Sequence, residues 1–340
     1  MINISDYDYL LPKHLIAREP RELNGKNRSD SKLLLMDRYE NKIYHKKFED
    51  VTDILQKNDI LVLNNSQTIN AKVVGLCNKN YVDISFFCFK HNNTCSCYIF
   101  PDNNISVGSK IKIGNDLNGL VTEKIYNNVW NIEFDTNDLM NEINKIGKPI
   151  ISHYIKKKLD IKYFQNEYAS INGSSELPAA GRHFTKEILQ KLENKGVKIL
   201  YVTLHTGLSS ITSNLDGNIE NFEMQEEVID LSEEVAKELN NAIKNKNRIF
   251  AVGTTVARTL ESCFYNNKVN SYSGMTNLFI YPGYKFNVID GFFTNFHGPR
   301  SSRILLASAF TGKELLKKGY NEAIKNNYMF YEFGDTTLTI

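Results

Sequence analysis

The chain is 340 residues long, 41% hydrophobic and 24% charged, with a formal net charge of +2. That is enough chain for two domains and too apolar a composition for a disordered one. No apolar run approaches bilayer-spanning length, so no membrane is expected, and the near-neutral charge leaves only a local patch as a route to nucleic acid.

In chain order, the opening stretch SDYDYLLPKHL is aromatic and acidic. Arg18, Arg21, Lys26, Arg28 and Lys32 follow in a loop with Gly and Asn, a basic run that reads as solvated or as phosphate-contacting. Lys32 to Asp37 and Asp59 to Leu63 read as core strands, with a short helix over Phe48 to Leu55 between them. From residue 64 to 149 short strands succeed one another, with Asn and Gly turns and no helices. They are Ala71 to Leu76, Tyr81 to Lys90, Thr94 to Phe100, Ser109 to Ile113, Gly119 to Tyr126 and Val129 to Phe134. That pattern suggests a small β-barrel or sandwich. Four of the five cysteines lie here (Cys77, Cys88, Cys95, Cys97), with Cys263 the fifth. An odd count without a secretory leader fits a reducing, cytoplasmic setting. Cys95 and Cys97 are too close for the usual zinc spacing, and the seven histidines are dispersed, so no metal is expected.

Residues 150 to 340 alternate in the α/β manner. Lys186 to Gly196 is a helix and Val197 to Thr203 a strand; Ser232 to Asn245 is an amphipathic helix; Arg248 to Gly253 is a strand feeding a helix through Arg258. Val288 to Phe296 is a buried strand, and a helix over Ile304 to Phe310 is stopped by Gly312. The expected fold is a mixed-sheet α/β main domain (1–63 and 150–340) with a small inserted β-barrel domain (64–149).

Three strand ends carry chemistry-bearing residues: His205-Thr206-Gly207, Gly253-Thr254-Thr255 with Arg258 one turn on, and Asn295-Phe296-His297-Gly298-Pro299-Arg300-Ser301. Ligands bind at the carboxyl ends of strands in parallel α/β sheets. A helix N-terminus after the second and third of these turns suits a carboxylate or phosphate. A fourth segment, LPAAGRHFT, places small residues before Gly181, Arg182 and His183, where a ligand can approach the backbone. No Walker loop, GxGxxG, GxSxG or zinc pattern is present.

Nine segments together resemble one family: DYDYLLPKHLIAREP, RSDSKLLLMD, LVLNNSQTINAKVVG, LPAAGRHFT, VTLHTGL, RIFAVGTTVARTLES, FIYPGYKF, DGFFTNFHGPRSS and YEFGDTTL. In order and spacing the chain resembles the S-adenosylmethionine:tRNA ribosyltransferase-isomerases of queuosine biosynthesis, as a divergent member. The resemblance implies an α/β domain with an inserted barrel, S-adenosyl-L-methionine as co-substrate, and tRNA as partner. It implies transfer of the ribosyl group to the aminomethyl of a 7-deazaguanine in the tRNA wobble position. Adenine and methionine leave and an epoxycyclopentanediol forms. This chemistry needs a base beside the sulfonium, an acid for adenine, and a clamp for the methionine carboxylate. His183, His205 and His297 are then candidates for proton transfer. Gly181, Arg182, Thr254, Thr255, Arg258, Asn295, Arg300 and Ser301 are candidates for binding S-adenosylmethionine.

The chain departs from the family pattern inside these motifs. Arg182 stands for Leu, Ser209-Ser210-Ile211 for Gly-Thr-Phe, Gln67 for Arg and Lys72 for Arg. Ser152-His153-Tyr154-Ile155 replaces Pro-Pro-Tyr-Ile, and FEMQEE at 222–227 lacks both family histidines. Gly298-Pro299-Arg300-Ser301-Ser302 replaces Leu-Pro-x-Ser-Thr, with an added Arg303. Arg182 and Arg303 could hold an anion that the usual nucleoside lacks, which raises an alternative: a related reaction on a small-molecule acceptor, without tRNA.

Overall fold

The computed structural model describes residues 2–90, 93–208 and 215–340. Ser209 to Ile211, one of the departures above, lies outside the described residues. The first strand, β1 (Lys32–Asp37), is buried along its middle, whereas its hairpin partner β2 (Lys42–Lys47) is Lys-rich and mostly exposed. That is how a sheet protects an edge from stray pairing. A single turn, α1 (Val51–Ile54), leads to β3 (Ile60–Asn64), whose five residues are all buried, as in a strand covered on both faces. A short β4 (Ser66–Thr68) then carries the chain to the barrel.

The barrel strands are β5 (Lys72–Cys77), β6 (Asn80–Phe89), β7 (Thr94–Phe100), β8 (Lys110–Ile113), β9 (Leu117–Tyr126) and β10 (Val129–Phe134). They close in the order β10-β7-β6-β5-β8-β9, so the strand run expected from sequence is a barrel and not a sandwich. Alternation in β5 and β8 sends Val73, Ile111 and Ile113 inward to meet Trp130 and Ile132. The helix α2 (Leu139–Ile146) packs against it, and Lys148 bridges back to Lys72, so the chain enters and leaves the barrel side by side. All five cysteines are buried and unpaired.

Beyond the barrel come β11 (Ile171–Ser174), parallel to β4, and the helix α3 (Lys186–Lys195), capped by Thr185. Then follow β12 (Lys198–Leu204), β13 (Glu227–Leu231), α4 (Glu233–Asn245), β14 (Ile249–Val252) and α5 (Thr254–Ser262). A small hairpin, β15 (Phe264–Tyr265) and β16 (Lys268–Val269), precedes β17 (Tyr272–Thr276) and β18 (Gly291–Asn295). The helices α6 (Ser302–Thr311) and α7 (Lys313–Lys325) and the strand β19 (Thr336–Thr339) end the chain.

The main sheet runs β17-β13-β12-β3-β14-β18-β19-β1-β2. Its centre, β12-β3-β14-β18, is parallel, and β19 runs antiparallel to β18. The carboxyl ends of four strands and the amino end of β19 therefore share one edge. Alternate side chains face opposite layers. Ile60, Val62 and Ala251 meet α4 to α7 on one face; Leu61, Leu63 and Phe250 meet α3 and Phe48 on the other. The strand expected over Val288 to Phe296 begins only at Gly291. The backbone N–H groups of Asn287 and Val288 are drawn off by the Glu261 carboxylate, at 3.0 and 3.1 Å, so they never join the ladder.

Candidate active-site cleft

The shared edge opens into a cleft of about 540 Å³. Its walls are the β14–α5 turn (Gly253, Thr254, Thr255), the end of β18 (Thr294, Asn295, His297) and the turn Gly298, Pro299, Ser301. The segment Ile150 to Tyr154, Glu176 to Ala180, Tyr331 and Glu332 complete it. A side chamber of about 40 Å³, walled by Gly207, Glu227 and Arg258, shares Thr206, Thr254, Thr255 and Arg303 with the main cleft.

The side chamber is built around the start of α5. Gly253 has φ 92°, a conformation open to glycine, and supplies no side-chain cap. Among the described residues no side chain caps the first-turn N–H groups of α5, which present the positive end of the helix. One turn on, Arg258 is fixed by Glu227 through Nη1 and donates from Nε to the Leu278 carbonyl at 2.9 Å. Among the described residues its buried Nη2 has no partner, and neither has Thr206 Oγ1. Glu227 also accepts the Gly207 N–H at 2.8 Å. The chamber therefore offers a guanidinium N–H, a hydroxyl and helix N–H groups, all unspent. That is a donor set for a carboxylate.

The main cleft contains one candidate histidine and one carboxyl of shifted acidity. His297 Nε2 lies 2.7 Å from Thr294 Oγ1, and its backbone is held by the hydroxyls of Tyr320 (3.1 Å) and Tyr9. Burial, and then the charge of Arg303, lowers its pKa to about 3, so the ring is neutral near pH 7. Glu332 is held 3.2 Å from the Tyr154 hydroxyl. Burial, and then the nearby charge of Glu176, raises its pKa to about 7. The Tyr154 ring stacks on Tyr331 at 4.8 Å, and Tyr331 adopts φ 73°, an outlier for a bulky side chain.

The structure brings together Thr254, Thr255, Arg258, Asn295, His297 and Ser301 around the two chambers. Ser301 also caps α6 by accepting the Ile304 N–H at 3.3 Å. Gly181, Arg182, His183, His205 and Arg300 stand behind or beside them. His183 is buried against Phe48, with Nδ1 2.9 Å from Ser31 Oγ, and its pKa is lowered to about 3 by burial, then by Arg21 and Arg182. Gly181 packs under Tyr168 and Asn166. Arg182 donates to both oxygens of Glu22 (2.7 and 2.6 Å) and to the Tyr163 carbonyl (2.6 Å), and lies over the Phe333 ring. The anion that Arg182 holds is thus part of the chain itself. Arg300 is turned to Leu215 and Asp216.

His205 acts at one remove. Its ring lies on Gly173, where a Cβ would come within 2.5 Å of it, and burial lowers its pKa to about 4. Its Nδ1 is 2.8 Å from Ser66 Oγ, which is 2.6 Å from Ser174 Oγ, which accepts the Thr206 N–H at 2.9 Å. That relay fixes Thr206 in the wall. Phe87, Cys88 and Val129 of the barrel pack on Leu208 and hold the same segment from outside. Glu332, Tyr154, Glu227 and Thr206 escaped the sequence reading as site residues; only Thr206 had a local signal, its place at the end of β12. Among the described residues no group of three or more His, Cys, Asp or Glu could hold a metal ion.

The family model described as "Queuosine biosynthesis protein" matches residues 4–339. The S-adenosylmethionine:tRNA ribosyltransferase-isomerases of Caldanaerobacter subterraneus subsp. tengcongensis and of Thermoanaerobacter sp. (strain X514) are each 37% identical, over 99% of this chain and 99% of theirs. The crystal structure of S-adenosylmethionine tRNA ribosyltransferase from Thermotoga maritima is similar over 98% of this chain and 100% of that one, at 30% identity and a TM-score of 0.58.

Proposed function

Because the chain belongs to the queuosine biosynthesis family, with S-adenosylmethionine:tRNA ribosyltransferase-isomerases as its relatives, we propose that the cleft at the sheet edge is where that reaction runs. The reaction moves the ribosyl group of S-adenosylmethionine onto 7-aminomethyl-7-deazaguanine in tRNA, giving epoxyqueuosine, adenine and methionine. S-adenosylmethionine is consumed as a co-substrate.

The methionine end enters the side chamber, its carboxylate taking the free Nη2 of Arg258, Thr206 Oγ1 and the N–H groups at the start of α5. The observation that carries this reading is that Arg258 Nη2 and Thr206 Oγ1 are buried together with nothing to bond among the described residues. Burying such groups unmet is costly, so a ligand that meets them is strongly favoured. The ribose and adenine occupy the main cleft. The negative charge of Glu176 suits a sulfonium cation there. Neutral His297 is the proton acceptor beside the sulfonium; its lowered pKa makes it a weak base, and the acidity that the sulfonium charge lends the adjacent C–H is what allows it to serve. The donor for departing adenine is Glu332, whose carboxyl is near half-protonated at neutral pH, the condition under which general acid–base catalysis works best.

Arg182 is occupied by Glu22, which removes one motive for a small-molecule acceptor carrying an extra anion. No helix among the described residues is long and apolar enough to cross a membrane. The cytoplasm, where the five buried thiols stay reduced, is the proposed location. The test is adenine release from S-adenosylmethionine with tRNA bearing the aminomethyl base. Release that depends on that tRNA is expected; release indifferent to it would replace this reading with the small-molecule one.

A further inference from the structure

A second, open depression of about 970 Å³ lies on the same side of the molecule as the cleft's outer wall. Two segments wall both. Ile150 to Tyr154 face the cleft and Lys156 and Lys157 the groove; Tyr331 and Glu332 face the cleft, and Met329, Phe333 and Asp335 the groove. The groove is lined by four more Lys and Arg side chains than Asp and Glu, against a surplus of +2 for the whole chain. The rest of the protein is therefore net negative, and the positive charge is concentrated here.

Most of that charge is unspent. Arg21 pairs with Asp335 and Lys157 with Glu19. Lys32 donates only to the carbonyls of Asn326 and Asn327. Lys13, Arg18, Lys26 and Lys156 are exposed, and among the described residues none of the four meets a carboxylate. Like charges left facing one another in an open groove repel. A polyanion laid along them would relieve that repulsion and release counterions. At the junction of groove and cleft stand the stacked rings of Tyr154 and Tyr331, a surface on which a base turned out of its strand can rest.

We propose that this groove is the bed for the sugar-phosphate backbone beside the modified nucleoside, and that the stacked tyrosines guide the base from it into the cleft. This rests on the tRNA reading above and adds where the RNA lies. The phosphates follow Lys13, Arg18, Lys26 and Lys156, while base identity is read inside the cleft.

The test is a fourfold variant, Lys13→Gln, Arg18→Gln, Lys26→Gln and Lys156→Gln, with Lys42→Gln, Lys46→Gln and Lys47→Gln on the β2 edge as the control. Binding of the aminomethyl-bearing tRNA is measured across a salt series, together with steady-state adenine release. Loss of four phosphate contacts should flatten the plot of log affinity against log salt by about 3 and raise the KM for tRNA roughly tenfold or more. Affinity for S-adenosylmethionine should not change, which also shows that the variant is folded. The β2 variant should match the parent. An unaltered salt slope in the groove variant, or an equal change in the β2 variant, would overturn the proposal. A parent protein that releases no adenine with tRNA would instead overturn the reading beneath it.

Discussion

Glu332 is the residue whose burial and chemistry pull in opposite directions. Its folded pKa, about 7, lies above the ordinary value of 4.5, so the native state holds the proton more tightly than the unfolded chain does. Stability therefore falls as pH rises from 4.5 through 7. Glu332→Gln removes that cost, and at pH 8 the variant should be more stable by up to about 3 kcal/mol in denaturant titrations. It should also lose most adenine release, because an amide has no proton to give. In the parent, the rate should fall as pH rises through about 7. A variant of full activity, or one keeping that alkaline limb, would remove Glu332 from proton donation. His297→Ala should abolish adenine release with the fold intact by circular dichroism; an active variant would remove His297 from the mechanism. Arg258→Ala should destabilise by roughly 3–5 kcal/mol, since it leaves the Glu227 carboxylate buried and unpaired. Arg258→Lys keeps the charge but not the fork. In equilibrium binding it should weaken S-adenosylmethionine affinity well beyond any effect of lowered stability.

Among the elements, α5 is the one proposed to hold the co-substrate, because its first turn is left without a side-chain cap. At Gly253 any side chain is strained at φ 92°, although an added Cβ would meet Ala180 only at van der Waals distance, 3.4 Å. Gly253→Ala should cost about 1 kcal/mol or more of stability and weaken S-adenosylmethionine binding, measured by calorimetry, while leaving tRNA binding unchanged. The turn was legible in the sequence, because an apolar strand, a glycine and two threonines before an amphipathic run are all local signals. The same holds for the ends of β12 and β18 and for the barrel's evenly spaced strands. β19 was not legible: Thr336-Thr337-Leu338-Thr339 is mostly polar, yet all four are buried, with Thr336 and Thr337 hydroxyls both bonding the Thr294 carbonyl at 3.0 Å. Glu332 was illegible for a related reason. Its environment is set by burial and by Glu176, and its hydrogen bond comes from Tyr154, 178 positions away; no periodicity reports such meetings. Arg182 shows the converse: its sequence context suggested a ligand clamp, and only the fold brings Glu22 to it.

For the whole molecule, the three motif histidines share a consequence. His183 is buried and His205 and His297 are half-buried, and desolvation lowers their pKa values to about 3, about 4 and about 3 respectively, against 6.5 unfolded. The unfolded chain takes up these protons below pH 6.5, whereas the folded one refuses them until pH 3 to 4. The histidines' contribution to stability is thus full above pH 6.5 and is lost as pH falls, by about 1.4 kcal/mol per pH unit for each, and the single opposite slope of Glu332 between pH 7 and 4.5 offsets only one of the three. Urea titrations between pH 6 and about 4.5 should show this slope, and His183→Asn should reduce it; a flat profile would mean the rings are charged or exposed in the native state. The architecture gathers four strand ends, the start of α5 and the entry to β19 at one edge, with the barrel pressed against Leu208 and the basic groove running alongside. That convergence is proposed to be the catalytic centre for S-adenosylmethionine and tRNA. The most direct measurement is adenine release by the purified protein with tRNA carrying 7-aminomethyl-7-deazaguanine at the wobble position, beside the same tRNA carrying guanine. Release with the first and none with the second is the result expected; equal release with both, or none with either, would contradict it.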